Sequence, residues 1–218
     1  MRKSLVVRVL GAGVGMALLL AGCGQQATPS KLSVLGGDMG AQSENVLVTR
    51  NGRPVTSATV SVNGTQLTLA DASTGRYHGV LPSKLATGSQ LDLVVTDGSQ
   101  RVEAIGNVPE APVVTSPANG STIDATQPLP VTWTSASSPD AYELLVFQSG
   151  SSPVFDGSMG GSYRNTTIAA NTLAPGYANG SLKLFAYNFG RDQVTGDAAA
   201  GSEMNIRVPT SITINTSP

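Results

Sequence analysis

Apolar and polar residues exchange places at every second position through a series of short runs. They fall at 46–49, 58–62, 66–69, 76–81, 91–96 and 101–105, then at 112–115, 129–135, 142–148, 163–169, 182–188 and 203–208. A period of two puts successive side chains on opposite faces, which is how a half-buried strand is written in sequence. Asn51-Gly52, Asn63-Gly64, Ser73-Thr74-Gly75 and Asp97-Gly98 punctuate the first set. Asn-Gly and Asp-Gly accept the positive φ of tight hairpin turns. No window keeps a helical period beyond about one turn at 83–86. The pattern predicts an all-β protein.

Two sets of six strands predict two tandem sandwiches. The link Val108-Pro109-Glu110-Ala111-Pro112 carries two prolines and marks the boundary between them. Composition changes there: Tyr77 is the only aromatic residue before Trp133, and nine follow from Trp133 onward. The expected organisation is a first sandwich over 44–108 and a second over 109–208. Residues 23–43, rich in Gly, Gln and Ser, are expected to be a flexible spacer. Residues 209–218 are expected to be a tail that can add one edge strand through Ile212 and Ile214.

The first 22 residues read differently. Arg2, Lys3 and Arg8 precede an apolar stretch from Val9 to Leu20, and small residues follow. That order is the grammar of a secretory signal peptide. The stretch falls short of the about 20 apolar residues a membrane span requires. Leu20-Ala21-Gly22-Cys23 resembles the lipobox of bacterial lipoproteins. The resemblance implies cleavage before Cys23 and acylation of its thiol with palmitate-type chains, at about 0.8 kcal/mol per buried methylene. The implied location is the cell membrane or the outer membrane, lipid-anchored and facing the periplasm or the cell exterior. Gly24 stands where an aspartate would favour inner-membrane retention.

Charge and composition narrow the function. The whole chain has a net charge of −1, and three of its 13 cations lie in the first 22 residues, so the remainder stands at −4. Nucleic-acid binding calls for a basic patch and is not expected. Cys23 is the single cysteine and His78 the single histidine. Zinc sites and histidine-based nucleophile triads therefore lack their parts. Asp71, Asp97, Asp124, Asp140, Asp156, Asp192 and Asp197 fall in predicted turns, where aspartate ordinarily accepts from backbone amides. The chain is read as non-catalytic, with no cofactor and no metal.

Two further resemblances concern the sandwiches. Asn51-Gly52-x-Pro54-Val55-x-x-Ala58-x-Val60-x-Val62, followed by Asp71-x-x-x-Gly75-x-Tyr77, resembles the transthyretin-like, carboxypeptidase-regulatory type of β-sandwich. The second sandwich resembles the fibronectin type III and immunoglobulin-like domains. Trp133 lies on an early strand, Tyr142-x-Leu144-x-Val146 matches the third, and Leu182-x-Leu184-x-Ala186-x-Asn188 the sixth. Leu182 stands where that family places its corner tyrosine. The transthyretin-like resemblance implies a non-catalytic spacer or binding module.

Alternation also yields a candidate surface. If Leu182, Leu184 and Ala186 face the core, then Lys183, Phe185, Tyr187 and Phe189 face outward; Tyr142, Leu144 and Val146 inward puts Glu143, Leu145 and Phe147 outward. Neighbouring strands would pool Leu145, Phe147, Phe185, Tyr187 and Phe189 into one apolar patch, and such patches mark interaction surfaces. The first sandwich, the 149–161 loop or the Ile212/Ile214 tail would otherwise cover it, and a reversed register would bury it. The expected function is a lipid-anchored binding, adhesion or scaffold module for an envelope protein or glycan. The alternatives are a structural spacer and a carbohydrate-active enzyme, the latter needing two converging carboxylates.

Overall fold

The computed structural model describes residues 30–40, 42–189 and 194–218. Cys23 and the residues before it lie outside that range. Among the described residues the regular elements are all strands. The chain first forms β1 (Leu32–Met39), β2 (Ser43–Arg50), the two-residue β3 (Arg53–Pro54) and β4 (Thr59–Val62). Next come β5 (Thr65–Asp71), β6 (Arg76–Val80), β7 (Gln90–Asp97) and β8 (Gln100–Asn107). A second group follows with β9 (Val113–Ser116), β10 (Ser121–Ile123), β11 (Leu129–Thr134) and β12 (Ala141–Phe147). It continues with β13 (Phe155–Gly160), β14 (Asn165–Ile168) and β15 (Gly180–Phe189). The chain then returns to the first group through β16 (Val194–Gly196) and ends in β17 (Glu203–Thr216).

Turn chemistry sets the hairpins. Asn63 and Gly64 join β4 to β5 with φ of 47° and 76°. A primed turn requires positive φ at both central residues, and this pair tolerates it. Gly75 has a different reason to be glycine. A Cβ there would stand 2.3 Å from the Val48 carbonyl oxygen, just where the Gly75 carbonyl accepts the Val48 amide at 2.9 Å. Two residues on, Tyr77 is buried, and its hydroxyl donates to the Val55 carbonyl at 3.0 Å and accepts the Ala58 amide at 3.1 Å. The Pro54–Ala58 and Gly75-x-Tyr77 parts of the first motif are therefore one clamp.

The first sandwich has its core between β17-β1-β2-β6-β5 and β5-β4-β7-β8-β16. β5 belongs to both layers, with a register shift between Leu69 and Asp71 where it crosses. Leu32, Val34, Val46, Val48, Val60, Leu91, Leu93 and Met204 are buried in this core. In the second sandwich β14-β11-β9 packs on β13-β12-β15-β17. Trp133 is buried there with Val131, Leu144 and Leu184 in the same cluster, as expected from sequence. Its ring meets Tyr142 edge-on at 5.3 Å between centroids. That three-plus-four layering, with the strand bearing Trp133 central in one sheet, is a fibronectin-like sandwich.

The architecture corrects four sequence expectations. Residues 32–39 are not spacer: β1 pairs with β2 from Leu32 opposite Arg50 to Gly37 opposite Asn45, and Leu32 is fully buried. Residues 209–218 add the strand expected through Ile212 and Ile214, but not as a separate tail: they continue β17 from Glu203, pair with β15, and place Ile214 in the core. The strand starting at Glu203 does not belong to the second sandwich alone, because Met204, Ile206 and Val208 complete the first core. The 149–161 stretch is not all loop: β13 runs along β12, so Asp156 sits on a strand opposite Leu145. In each case strand pairing overrides weak local preference, and for β1 the pairing includes β17, far along the chain.

β17 is what joins the two parts. Its even-numbered residues turn inward throughout, first Met204, Ile206 and Val208 to one core, then Ile214 to the other. Both cores thus lie on the same side of one long sheet, which in part runs β13-β12-β15-β17-β1-β2-β6-β5. Its opposite side is a single outer face spanning both sandwiches.

Candidate functional site

The predicted inward and outward assignments of β12 and β15 hold. Tyr142, Leu144, Val146, Leu182, Leu184 and Ala186 are fully buried. Opposite pairing sets Glu143 against Phe185, Leu145 against Lys183 and Ala141 against Tyr187. On the far side of β15, Phe185 pairs with Pro209, Tyr187 with Arg207 and Phe189 with Asn205. The three β15 aromatics form a ladder on this outer face. Phe185 and Tyr187 have centroids 6.3 Å apart, and Tyr187 and Phe189 lie 5.9 Å apart with planes inclined by 21°.

The ladder is set in charge rather than in open apolar surface. The Arg207 guanidinium lies 4.6 Å over the Phe185 ring, and the Lys183 ammonium 5.1 Å over Phe147. Cations attracted to ring faces in this way contribute about 0.5–1 kcal/mol at exposed sites. The Tyr187 hydroxyl donates to Glu143 Oε2 and accepts from Arg207 Nη1 at 3.1 Å. Arg207 and Glu143 are themselves 3.9 Å apart. Burial first, and the bond to Glu143 second, push the Tyr187 hydroxyl up to about 12, so it stays protonated at neutral pH. Phe185 is 8% exposed and Phe189 45% exposed. Leu145, Phe147 and Tyr187 are half-buried. The accessible ground is therefore the Phe189 end, flanked by Tyr187, Arg207 and Asn205.

None of the three covers expected from sequence lies on the ladder. The 149–161 stretch extends the sheet sideways as β13. Ile212 and Ile214 sit within β17, with Ile214 turned to the core. The first sandwich continues the face instead of covering it. Across β17 the face reaches Leu35 and Gly37 of β1, Asn45 and Leu47 of β2, and Arg76 of β6. These line a shallow depression of about 420 Å³. Sequence reasoning missed Arg207 and Asn205, although alternation along 203–208 would put both opposite Met204, Ile206 and Val208.

Six of the other polar residues considered from sequence have structural partners. His78 stands on β6 with Nδ1 3.1 Å from the Glu44 carbonyl oxygen. Asp71 accepts from the Ser73 amide and hydroxyl, and Asp124 from the Thr126 amide and hydroxyl. These bonds hold both carboxyls below the usual carboxylate range. Asp140 accepts the Phe189 amide at 2.6 Å and Asp197 the Arg101 amide at 3.0 Å. Asp97 pairs with Arg50 at 2.6 Å. Asp192 and the lipidation residue Cys23 lie outside the described residues. Among the described residues no three His, Cys, Asp or Glu side chains cluster as metal ligands would.

No family model matches the chain, and no curated protein matches it. Solved structures do. It is similar to the fibronectin(III)-like modules of Clostridium thermocellum CbhA, at 18% identity over 85% of this chain and 94% of that one, with a TM-score of 0.31. It is also similar to a segment of two fibronectin type III domains from chicken tenascin, at 14% identity over 84% and 99% of the two chains, with a TM-score of 0.30. A third is Bacteroides ovatus SGBP-B in complex with a mixed-linkage heptasaccharide, at 15% identity over 88% and 46%, with a TM-score of 0.25. The strand order carries the fold assignment: the chain is an all-β protein of two immunoglobulin-like sandwiches, the second arranged as in fibronectin type III.

Proposed function

We propose that the chain is a lipid-anchored protein of the cell envelope, at the cell membrane or outer membrane, working without catalysis as a binding, adhesion or scaffold module. Its binding surface is the outer face carrying Leu145, Phe147, Phe185, Tyr187 and Phe189, and its partner is a protein or glycan of the envelope. The observation that supports this reading best is the continuity of that face across both sandwiches. A strand shared over 14 residues holds the β15 ladder and the depression near Leu35 and Leu47 in one register. Rigid presentation lowers the ordering cost of binding a broad, flat partner. Fixed charges at Arg207 and Glu143 beside aromatic rings supply orientation as well as area.

The test is retention of envelope components by the immobilised protein, compared with a Tyr187→Ser, Phe189→Ser double variant of unchanged thermal stability. A protein or glycan retained by the wild type and lost from the variant supports the proposal. Equal retention by both proteins removes the ladder from it. Retention of nothing by the wild type leaves the spacer reading in its place.

A further inference from the structure

We propose that the end of the first sandwich where the chain enters is a contact surface for the phospholipid headgroups of the membrane that holds the anchor. This rests on the lipid-anchor reading above and adds which part of the fold meets the bilayer.

The entry point is fixed by backbone bonds. The Ser30 carbonyl accepts Gln100 Nε2 at 3.2 Å, beside the 98–99 turn. The Leu32 amide donates to the Asp197 carbonyl at 3.0 Å, and the Leu32 carbonyl accepts the Ala199 amide at 2.6 Å. Leu32 also pairs with Arg50, at the start of the 51–58 turn. Those turns form one end of the first sandwich. Seven residue steps separate Cys23 from Ser30, so the two stand at most about 25 Å apart.

The second sandwich lies at the other end. β1 and β17 run parallel, with Leu35 opposite Glu203 and Met39 opposite Ile206. From Arg207 to Thr216 β17 continues away from the entry point, on the order of 30 Å at strand rise. A short leash at one end and a long strand leading away from it place the 51–58 and 98–99 turns nearest the bilayer. The loops at 148–154 and 169–179 then point outward.

Charge at the entry end suits anionic headgroups. Its aspartates accept bonds within the fold: Asp97 from Arg50 and from the Ser57 hydroxyl at 2.8 Å, Asp197 from the Arg101 amide, and Asp71 from Ser73. Lys31 and Arg53 are exposed. This end therefore turns two exposed cations toward a neighbour, and basic residues close to a bilayer are drawn to its anionic lipids.

The test uses the full-length lipoprotein reconstituted in vesicles of phosphatidylethanolamine and phosphatidylglycerol. A fluorescent thiol probe is placed at Ser99→Cys or at Ser149→Cys, and the quencher is a spin label on the lipid headgroup. An acylated Cys23 has no thiol to react, so only the introduced cysteine carries the probe. Quenching at position 99 without quenching at position 149 is expected, with the loss at 99 reduced by Lys31→Ser plus Arg53→Ser. Stronger quenching at 149, or none at 99, in a protein that floats with the vesicles overturns the orientation and leaves the anchor standing. A protein that does not float and keeps a free Cys23 thiol overturns both. Undiminished quenching at 99 in the double variant removes the part assigned to charge.

Discussion

Glu44 offers the sharpest test of the packing described for the first sandwich. It stands on β2 in line with Val46 and Val48, and like them it is fully buried. One carboxyl oxygen receives the Gly40 amide at 3.3 Å; the other has no hydrogen-bond partner among the described residues. Burial is the dominant influence and raises the carboxyl from 4.5 to about 7, against a smaller lowering by the Gly40 bond. The folded protein therefore holds this proton more tightly than the unfolded chain does between those two values. Stability from this group is fully present below about pH 4.5 and is lost as pH climbs through about 7. At 1.36 kcal/mol per pKa unit the whole loss is about 3 kcal/mol.

Glu44→Gln removes the titration while keeping the shape. Urea unfolding followed by far-ultraviolet circular dichroism, at about pH 5 and about pH 8, reads the difference. The variant should be close to wild type at the lower pH and more stable by about 2–3 kcal/mol at the higher. In thermal terms that is on the order of 10 °C for a chain of this size. His78 lies beside the Glu44 carbonyl, so the comparison of the two proteins decides, not the wild-type profile alone. Parallel pH profiles for wild type and variant would refute a buried, protonated Glu44.

Three further outcomes follow from the same structure. Tyr77→Phe leaves the buried ring in place but strips the Val55 carbonyl and the Ala58 amide of their partner, and should cost about 1–3 kcal/mol in urea unfolding. Trp133→Ala should cost about 3–5 kcal/mol, and the wild-type tryptophan should emit at the short wavelengths of a buried indole; a solvent-like maximum would contradict its placement. Leu32→Ala should cost about 2–5 kcal/mol because β1 belongs to the core; a change of a few tenths would return residues 32–39 to the status of a spacer.

Much of this fold was legible because strand alternation is local. The facing of β12 and β15 could be read from Tyr142-Glu143-Leu144 and Leu182-Lys183-Leu184 without knowing their partners. What escaped reading is set by which strands pair, not by the local pattern. β1 carries Gly36-Gly37 and an outward Leu35, so its pattern is broken, and its place is set by Glu203 and Ile206 far along the chain. β13 contains two glycines and no β-branched residue and exists through pairing with β12. Pro209 argues locally against a long strand. It is tolerated because it falls between the stretch of β17 paired with β1 and the stretch paired with β10, where among the described residues β15 is the only strand paired with it. The candidate surface was legible as to which side chains point outward. It was not legible as to what surrounds them, since Arg207 over Phe185 depends on a strand taken to end at Val208.

The lipid anchor is the claim on which the proposed function and the membrane-facing end both depend. Intact-mass and peptide mass spectrometry of the protein isolated from its native membrane tests it directly. The account predicts an N-terminal peptide that begins at Cys23 and carries acyl chains, and its loss in Cys23→Ser. A peptide beginning at Met1, or a Cys23 with an unmodified thiol in membrane-associated protein, would contradict it.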